Sequence, residues 1–324
     1  MHTAWYETQG KARDVLTVGT MADPSPGPGE VRIRVAASGV NPGDVKKRQN
    51  VFGYGMPYPR VIPHSDGAGH VDLLGQGVPS DWLGRRVWCY GAQSYRPFGT
   101  AAEFTVVPLA LVVPLPEHVS FEQGACLGIP GITAHRAVHV AGPVANRTVL
   151  VQGGAGAVGV CAVQLARRAG AFVLATVRSA ADEGVVRRAG AHHVLSIDSD
   201  LIDRVRALAP DGVDHVVEVA FGANIRTDLE MLAVGGSIAT YATDADTPAI
   251  PFWPLLFKNI RVCFVGSDDF PPDAKATAAQ ELNEALTAGW SGFDIAERIP
   301  LDDIATAHER VEAPVVRGRV VVLP

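Results

Sequence analysis

Cysteine is scarce and scattered: the 324 residues hold four, Cys89, Cys126, Cys161 and Cys263, with no Cys-x-x-Cys spacing. This excludes a disulfide framework and a cysteine-rich zinc site, and the four read as reduced, mostly buried thiols. Positive charge is in deficit, with 28 Lys and Arg against 34 Asp and Glu and a net charge of −6. No dense basic block tracks a phosphate backbone, so no nucleic-acid partner is expected. No apolar run reaches about 18 residues, and the start MHTAWYETQGKARDVL lacks the apolar centre of a signal peptide. A soluble, cytoplasmic protein with no membrane partner is the expectation. Repeats, low-complexity tracts and charged linkers are missing too, as expected of domains packed directly on one another.

The hydrophobic content of 47% over this length is enough for two cores, at roughly 100–200 residues per domain. Up to about residue 120 the chain is rich in Gly and Pro, with short alternating runs such as EVRIRVAASGV, RRVWCY and AAEFTVVP, and reads as mainly β. From about Val119 the pattern changes. VLVQG, FVLATV, HVLSI, HVVEVA and SIATYA are strand-sized β-branched runs separated by segments of helical period, the signature of a parallel sheet with crossover helices. The final run, RGRVVVLP, reads as a strand returning to the first region's sheet. A ligand is expected in the cleft between the two parts.

Gly154, Gly156 and Gly159 fit G-x-G-x-x-G between the strand-like VLVQ and the helix-like VGVCAVQLARRAG. The first glycine permits a tight turn, the second lets backbone approach a pyrophosphate, and the third lets helix and strand pack closely. With Ala157 and Val158 they form the start of a helix whose unpaired N–H groups suit a phosphate. An NAD-binding unit ends its second strand on an acid that holds the ribose 2′-hydroxyl. Here that place reads Thr176, Val177, Arg178, Ser179, and a guanidinium beside a hydroxyl suits a 2′-phosphate instead. The cofactor expected is NADPH; the alternative is that Arg178 is a solvated loop residue.

SGVNPGDVKKR, IPHSDGAG, QGACLGIPGITAHRA, the glycine turn and AHERVEAPVVRGRVVVLP together resemble the zinc-independent quinone oxidoreductases, including zeta-crystallin, of the medium-chain dehydrogenase/reductase superfamily. The resemblance covers essentially the whole chain. It implies an α/β protein in which residues 1–121 and 266–324 form a mainly β, GroES-like catalytic domain and residues 122–265 a doubly wound Rossmann domain. The zinc-ligand positions of related alcohol dehydrogenases correspond to Asn41, Ser65 and Ile129, and none of these is a thiolate or imidazole, so no metal is expected. His135 and His139 stand at i, i+4 without a metalloprotease pattern and read as packing or surface residues.

The resemblance further implies hydride transfer from the nicotinamide to a quinone, activated carbonyl or alkene. Asn41 and Asp44 would face the nicotinamide, with Asn41 donating to a carbonyl oxygen, and Tyr54 would stand near the substrate. Asn41 and Asp44 also fit an Asn-Pro turn with Asp44 capping the next helix. Thr133, Tyr241, Phe264, Val265 and Ser267 would lie beside the cofactor, and Arg319 near its phosphates; core or strand-end roles fit them equally. Relatives often carry a Lys and a Tyr around the 2′-phosphate where this chain has Asp182 and Ile197, and His64 stands where a small residue is usual, as a proton donor or a structural group. The alternatives are a 2-enoyl reductase for thioesters or ketones, or a crystallin-like dinucleotide-binding protein with little catalysis. Relatives pair edge strands, and NIRVCFVG is the segment expected to make a homodimer.

Overall fold

The structure, a computed structural model, describes residues 1–313 and 317–324; residues 314–316 of the AHERVEAPVVRGRVVVLP stretch lie outside the described residues. The chain divides into two units, Met1–Pro130 with Ala279–Pro324, and Gly131–Ala278.

The first unit is built on a mostly antiparallel sheet. Its strand order is Ile295–Pro300, Arg319–Leu323, Glu30–Gly39, Asp66–Leu74, Arg86–Cys89, Val112–Pro114, with Phe104–Pro108 also pairing to Glu30–Gly39. Alternation explains the long central strand: Val31, Ile33 and Val35 point inward while Arg32 and Arg34 stack their guanidiniums on the Phe104 ring. The C-terminal strand joins this sheet, with Val321 opposite Gly39 and Val322 opposite Ser38. That pairing brings Arg319 and the helix before it, Ile304–Glu312, into the same unit as Asn41. A short helix, Pro42–Arg48, opens with its proline in the first turn, where no amide hydrogen is needed.

The second unit is a six-stranded sheet with every pairing parallel, in the order His193–Ser196, Phe172–Val177, Thr148–Val151, Val213–Glu218, Leu232–Thr240, Arg261–Phe264. Counted within the unit this is 3-2-1-4-5-6, the doubly wound Rossmann order. The strands TVLV and FVLATV are apolar without alternation because helices cover both faces of such a sheet. Leu150, Leu174, Val216, Phe221, Ile225 and Ile238 form its core. The order reverses between Thr148–Val151 and Val213–Glu218, and the glycine turn leaves the first of these at that switch point. Among the described residues no helix is long and apolar enough to cross a membrane.

Candidate active site

In the second unit the chain leaves the Thr148–Val151 strand through Gln152 and Gly153 and enters the helix Ala157–Arg168 at Gly156. The left-handed residue of the turn is Gly153, at φ +65°, one place ahead of the G-x-G-x-x-G triplet. Gly154 is required by packing, since a Cβ there would lie 2.9 Å from the Cβ of Ala175. Gly159 is required more strongly, because its Cβ would lie 2.3 Å from the carbonyl oxygen of Gly153. Gly156 is exposed and, at the N-cap, offers no side chain to the first amides of the helix. Ala157 and Val158 follow it, half-buried. The residues present therefore fit a pyrophosphate: an open helix start, small side chains, and a turn that lets backbone approach. Arg178 is exposed at the end of the Phe172–Val177 strand, and among the described residues no acid pairs with it. Ser179 accepts a hydrogen bond from Ala181 N at 3.2 Å.

In the first unit a buried polar cluster gathers around Asp66. Its Oδ2 accepts from Asn41 Nδ2 at 2.7 Å and from the backbone N of Ile129 at 2.8 Å, while its Oδ1 finds no partner among the described residues. The Oδ1 of Asn41 accepts from Arg319 Nη2 at 2.8 Å, so acceptor and donor ends of that amide are both committed and its orientation is set by the network. Burial pushes the Asp66 carboxyl up to about 7, against the pull of the Ile129 and Asn41 donors. Asp44 accepts from the backbone N of Asn41 at 2.8 Å, the capping contact expected of it. A second buried chain runs from Thr100 through Ser38 to His64 Nδ1, with successive separations of 2.7 and 2.8 Å. His64 Nε2 then lies 3.0 Å from His308 Nε2, and Arg48, bound also to Glu312 and Gly10 O, closes the chain on His308 Nδ1. Burial lowers His64 to about 3 and His308 well below the ordinary histidine range.

Two family models match the chain, Zinc-binding dehydrogenase over residues 157–281 and Alcohol dehydrogenase GroES-like domain over residues 27–117. The quinone oxidoreductase of Rattus norvegicus is 33% identical over 293 residues, 89% of this chain and 87% of the rat protein. The chain belongs to the quinone oxidoreductase family of the medium-chain dehydrogenases/reductases. The human quinone oxidoreductase is 30% identical over 296 residues, 90% of this chain and 88% of the human protein. Among solved structures, mycobacterial Rv1454c complexed with NADPH superposes with a TM-score of 0.87 at 28% identity, covering all of both chains. A quinone oxidoreductase of Pseudomonas syringae pv. Tomato DC3000 gives 0.86 at 26% identity, covering 100% of this chain and 99% of that one.

As a member of this family the chain is an NAD(P)H-dependent oxidoreductase acting on small molecules. Of the three residues expected at zinc-ligand positions, Asn41 and the amide of Ile129 both donate to Asp66, and Ser65 Oγ is buried without a partner among the described residues. Tyr54 is exposed and stacks on Phe52, ring centroids 5.8 Å apart. Arg319, expected near the phosphates, is buried, and its Nη2 donates to Asn41 Oδ1. In the second unit Thr133 is buried on the helix Gly128–His139, and Val265 is buried with its N–H on Thr240 O at 2.9 Å. Burial, then the Glu218 carboxyl, raises the Tyr241 phenol. Phe264 is exposed at the end of the edge strand with its ring against Phe221, and Ser267 opens the short turn after it. His135 and His139 set their rings 4.7 Å apart. Sequence reasoning did not single out Asp66, Arg48 or His308, the residues that organise the first unit's polar interior.

Proposed function

We propose that this chain is an NADPH-dependent reductase of quinones or related activated carbonyls and alkenes that works without zinc. The observation that carries the reading is the glycine turn opening onto an uncapped helix, with Arg178 rather than an acid at the end of the next strand. Gly154, Gly156, Ala157, Val158 and Gly159 are assigned to the pyrophosphate, Arg178 and Ser179 to the 2′-phosphate, and Thr133, Tyr241, Phe264, Val265 and Ser267 to the nicotinamide side. When bound, reduced nicotinamide would supply the hydride. Asn41 Nδ2 carries two hydrogens, one of which goes to Asp66; the other is assigned to the acceptor's carbonyl oxygen, where charge builds as the hydride arrives. Arg319 on Oδ1 and Asp66 on Nδ2 hold that amide, Asp44 fixes the backbone beneath it, and Tyr54 is assigned to the substrate's approach. Zinc independence is supported by the same bonds: an amide, a hydroxyl and an isoleucine stand at the ligand positions.

The experiment is NADPH oxidation against a panel of quinones, enones and enoyl thioesters, with and without prolonged chelation. Turnover of quinones or enones, undiminished by the chelator, is expected. Turnover of enoyl thioesters alone would reassign the chain as an enoyl reductase. Binding of NADPH with no turnover would make it a dinucleotide-binding protein, and activity lost to chelation and restored by Zn²⁺ would overturn the metal-free reading.

The second unit also supports assembly as a homodimer. The strand Arg261–Phe264 closes the sheet and pairs on one side only among the described residues. The helix before it, Phe252–Phe257, exposes Phe252, Trp253, Leu256 and Phe257. An open strand edge beside an exposed aromatic patch is covered most simply by a second copy about a two-fold axis. Sedimentation at micromolar concentration is expected to give twice the 34.2 kDa chain mass; a monomer alone would refute the pairing.

A further inference from the structure

Four polar side chains are buried at the ends of the strands that bracket the glycine turn: Gln152, Thr176, Glu218 and, on the helix Phe221–Met231, Asp228. They form one chain of hydrogen bonds with a single direction. The N–H of Gly153 donates to Thr176 Oγ1 at 3.0 Å, whose hydroxyl donates to Gln152 Oε1 at 2.7 Å. Gln152 Nε2 donates in turn to Asp228 Oδ1 at 2.8 Å. The other oxygen of Asp228 receives no donor from the described residues, and the Glu218 carboxyl lies close enough to act on Asp228 through its charge and a side-chain hydrogen bond.

Two buried carboxyls are held together only with a proton between them. The partners decide where it sits. Glu218 Oε1 accepts from the backbone N of Ala220 and from Asn224 Nδ2, both at the start of the Phe221–Met231 helix, where a negative charge is favoured. Asp228 is therefore the acid of the pair, the group that keeps its proton. Burial and then the charge of Glu218 push Asp228 well above the ordinary carboxyl range, in the same sense. Among the described residues Tyr241 also feels the Glu218 charge, which adds to burial in raising its phenol.

We propose that Asp228 and Glu218 are positioning residues that, through Gln152 and Thr176, lock the backbone of the glycine turn in the form that receives a dinucleotide. Thr176 holds the turn twice, since its carbonyl oxygen also accepts from Gly154 N at 2.8 Å. In a chain where every donor is used by the next acceptor, each bond polarises its neighbour, and breaking one link loosens those beyond it. The inference rests on the dinucleotide-binding reading for its functional meaning, while the locking of the turn is a property of the protein alone.

The test compares Asp228→Asn, Asp228→Leu and Thr176→Val in the full-length protein. Asparagine keeps both links, accepting from Gln152 through Oδ1 and donating to Glu218 through Nδ2. Leucine removes both, and valine removes the hydroxyl that holds Gly153. Hydrogen exchange over residues 152–160, measured without cofactor, is expected to match wild type in the asparagine variant and to run at least tenfold faster in the other two. NADPH affinity is expected to stay within about twofold of wild type for asparagine and to fall about tenfold or more for leucine and valine, with kcat at saturating NADPH changed much less. Asparagine and leucine behaving alike, or exchange at the turn unchanged in all three, would overturn the proposal. If leucine prevents folding, asparagine and valine decide it alone. Failure of wild type to bind NADPH would sink the functional reading and leave the exchange result standing.

Discussion

Replacing Arg178 by alanine is expected to weaken NADPH binding by roughly one to two powers of ten and to leave NADH binding nearly unchanged. The 2′-phosphate brings about two negative charges, and a guanidinium meets it through a forked, charge-assisted contact. Such a contact contributes about 1.5–3 kcal/mol, at about 1.4 kcal/mol per power of ten in affinity. Arg178 is suited to this because it is exposed at the end of the Phe172–Val177 strand and no carboxylate neutralises it among the described residues. NADH carries a hydroxyl at the same place and has nothing for the guanidinium to grip. Since the contact is exposed, rising salt is expected to shrink the difference. Titrating both cofactors into wild type and variant checks it. Equal losses for the two cofactors, or a wild type that binds NADH as tightly as NADPH, would make Arg178 a solvated loop residue.

Much of the second unit was legible because its physics is local. A strand buried on both faces must be apolar throughout, and a turn between a strand and a helix must have glycines where a Cβ would strike Gly153 O or Ala175. The left-handed Gly153 was not legible, because G-x-G-x-x-G can be fitted without it and only the backbone angle distinguishes the two adjacent glycines. The sheet order was not legible either, since which strand lies beside Thr148–Val151 depends on pairings across more than sixty residues of chain. One usable signal was passed over. The apolar strands TVLV, FVLATV and HVVE carry a polar residue at or beside their carboxyl ends, Gln152, Thr176 and Glu218, and polar residues at the carboxyl edge of a parallel sheet lie beside the site. In the first unit the sequence showed an acid after PHS but nothing to say that it turns inward. Asp66 meets Asn41, 25 residues away, and His64 meets His308, 244 residues away, because the sheet brings the two chain ends together.

The largest effects on stability are expected from that interior, and they carry opposite signs with pH. Asp66 has a carboxyl raised from 3.8 to about 7, so between these values the folded protein keeps a proton that the unfolded chain has released. Its contribution is fully present below about pH 4 and is lost as pH rises through 7. His64 is lowered from 6.5 to about 3, so over nearly the same range the unfolded chain takes up a proton that the folded protein refuses. Its contribution is present above about pH 6.5 and is lost as pH falls toward 3. In wild type the two slopes oppose each other, with His308 adding to the second and Asp228 to the first. Single variants separate them. Asp66→Asn keeps an acceptor for Asn41 Nδ2 and removes the titration, so its stability relative to wild type is expected to rise by about 1.4 kcal/mol per pH unit between about pH 4 and 7. The total swing is about 4 kcal/mol. His64→Asn, chosen because asparagine tolerates the φ of +74° at this position, is expected to show the reverse: a relative stability that rises by about the same amount per unit as pH falls from about 6.5. Denaturant unfolding of the three proteins at pH 4.5, 5.5, 6.5 and 7.5, values spaced to sample the titration range of about 4 to 7, gives the two differences directly. The differences cancel the contributions of groups that do not touch the replaced side chain, while His308, shifted partly by His64, moves with the His64 variant; a flat line for either variant would mean that its side chain does not hold, or refuse, the proton assigned to it.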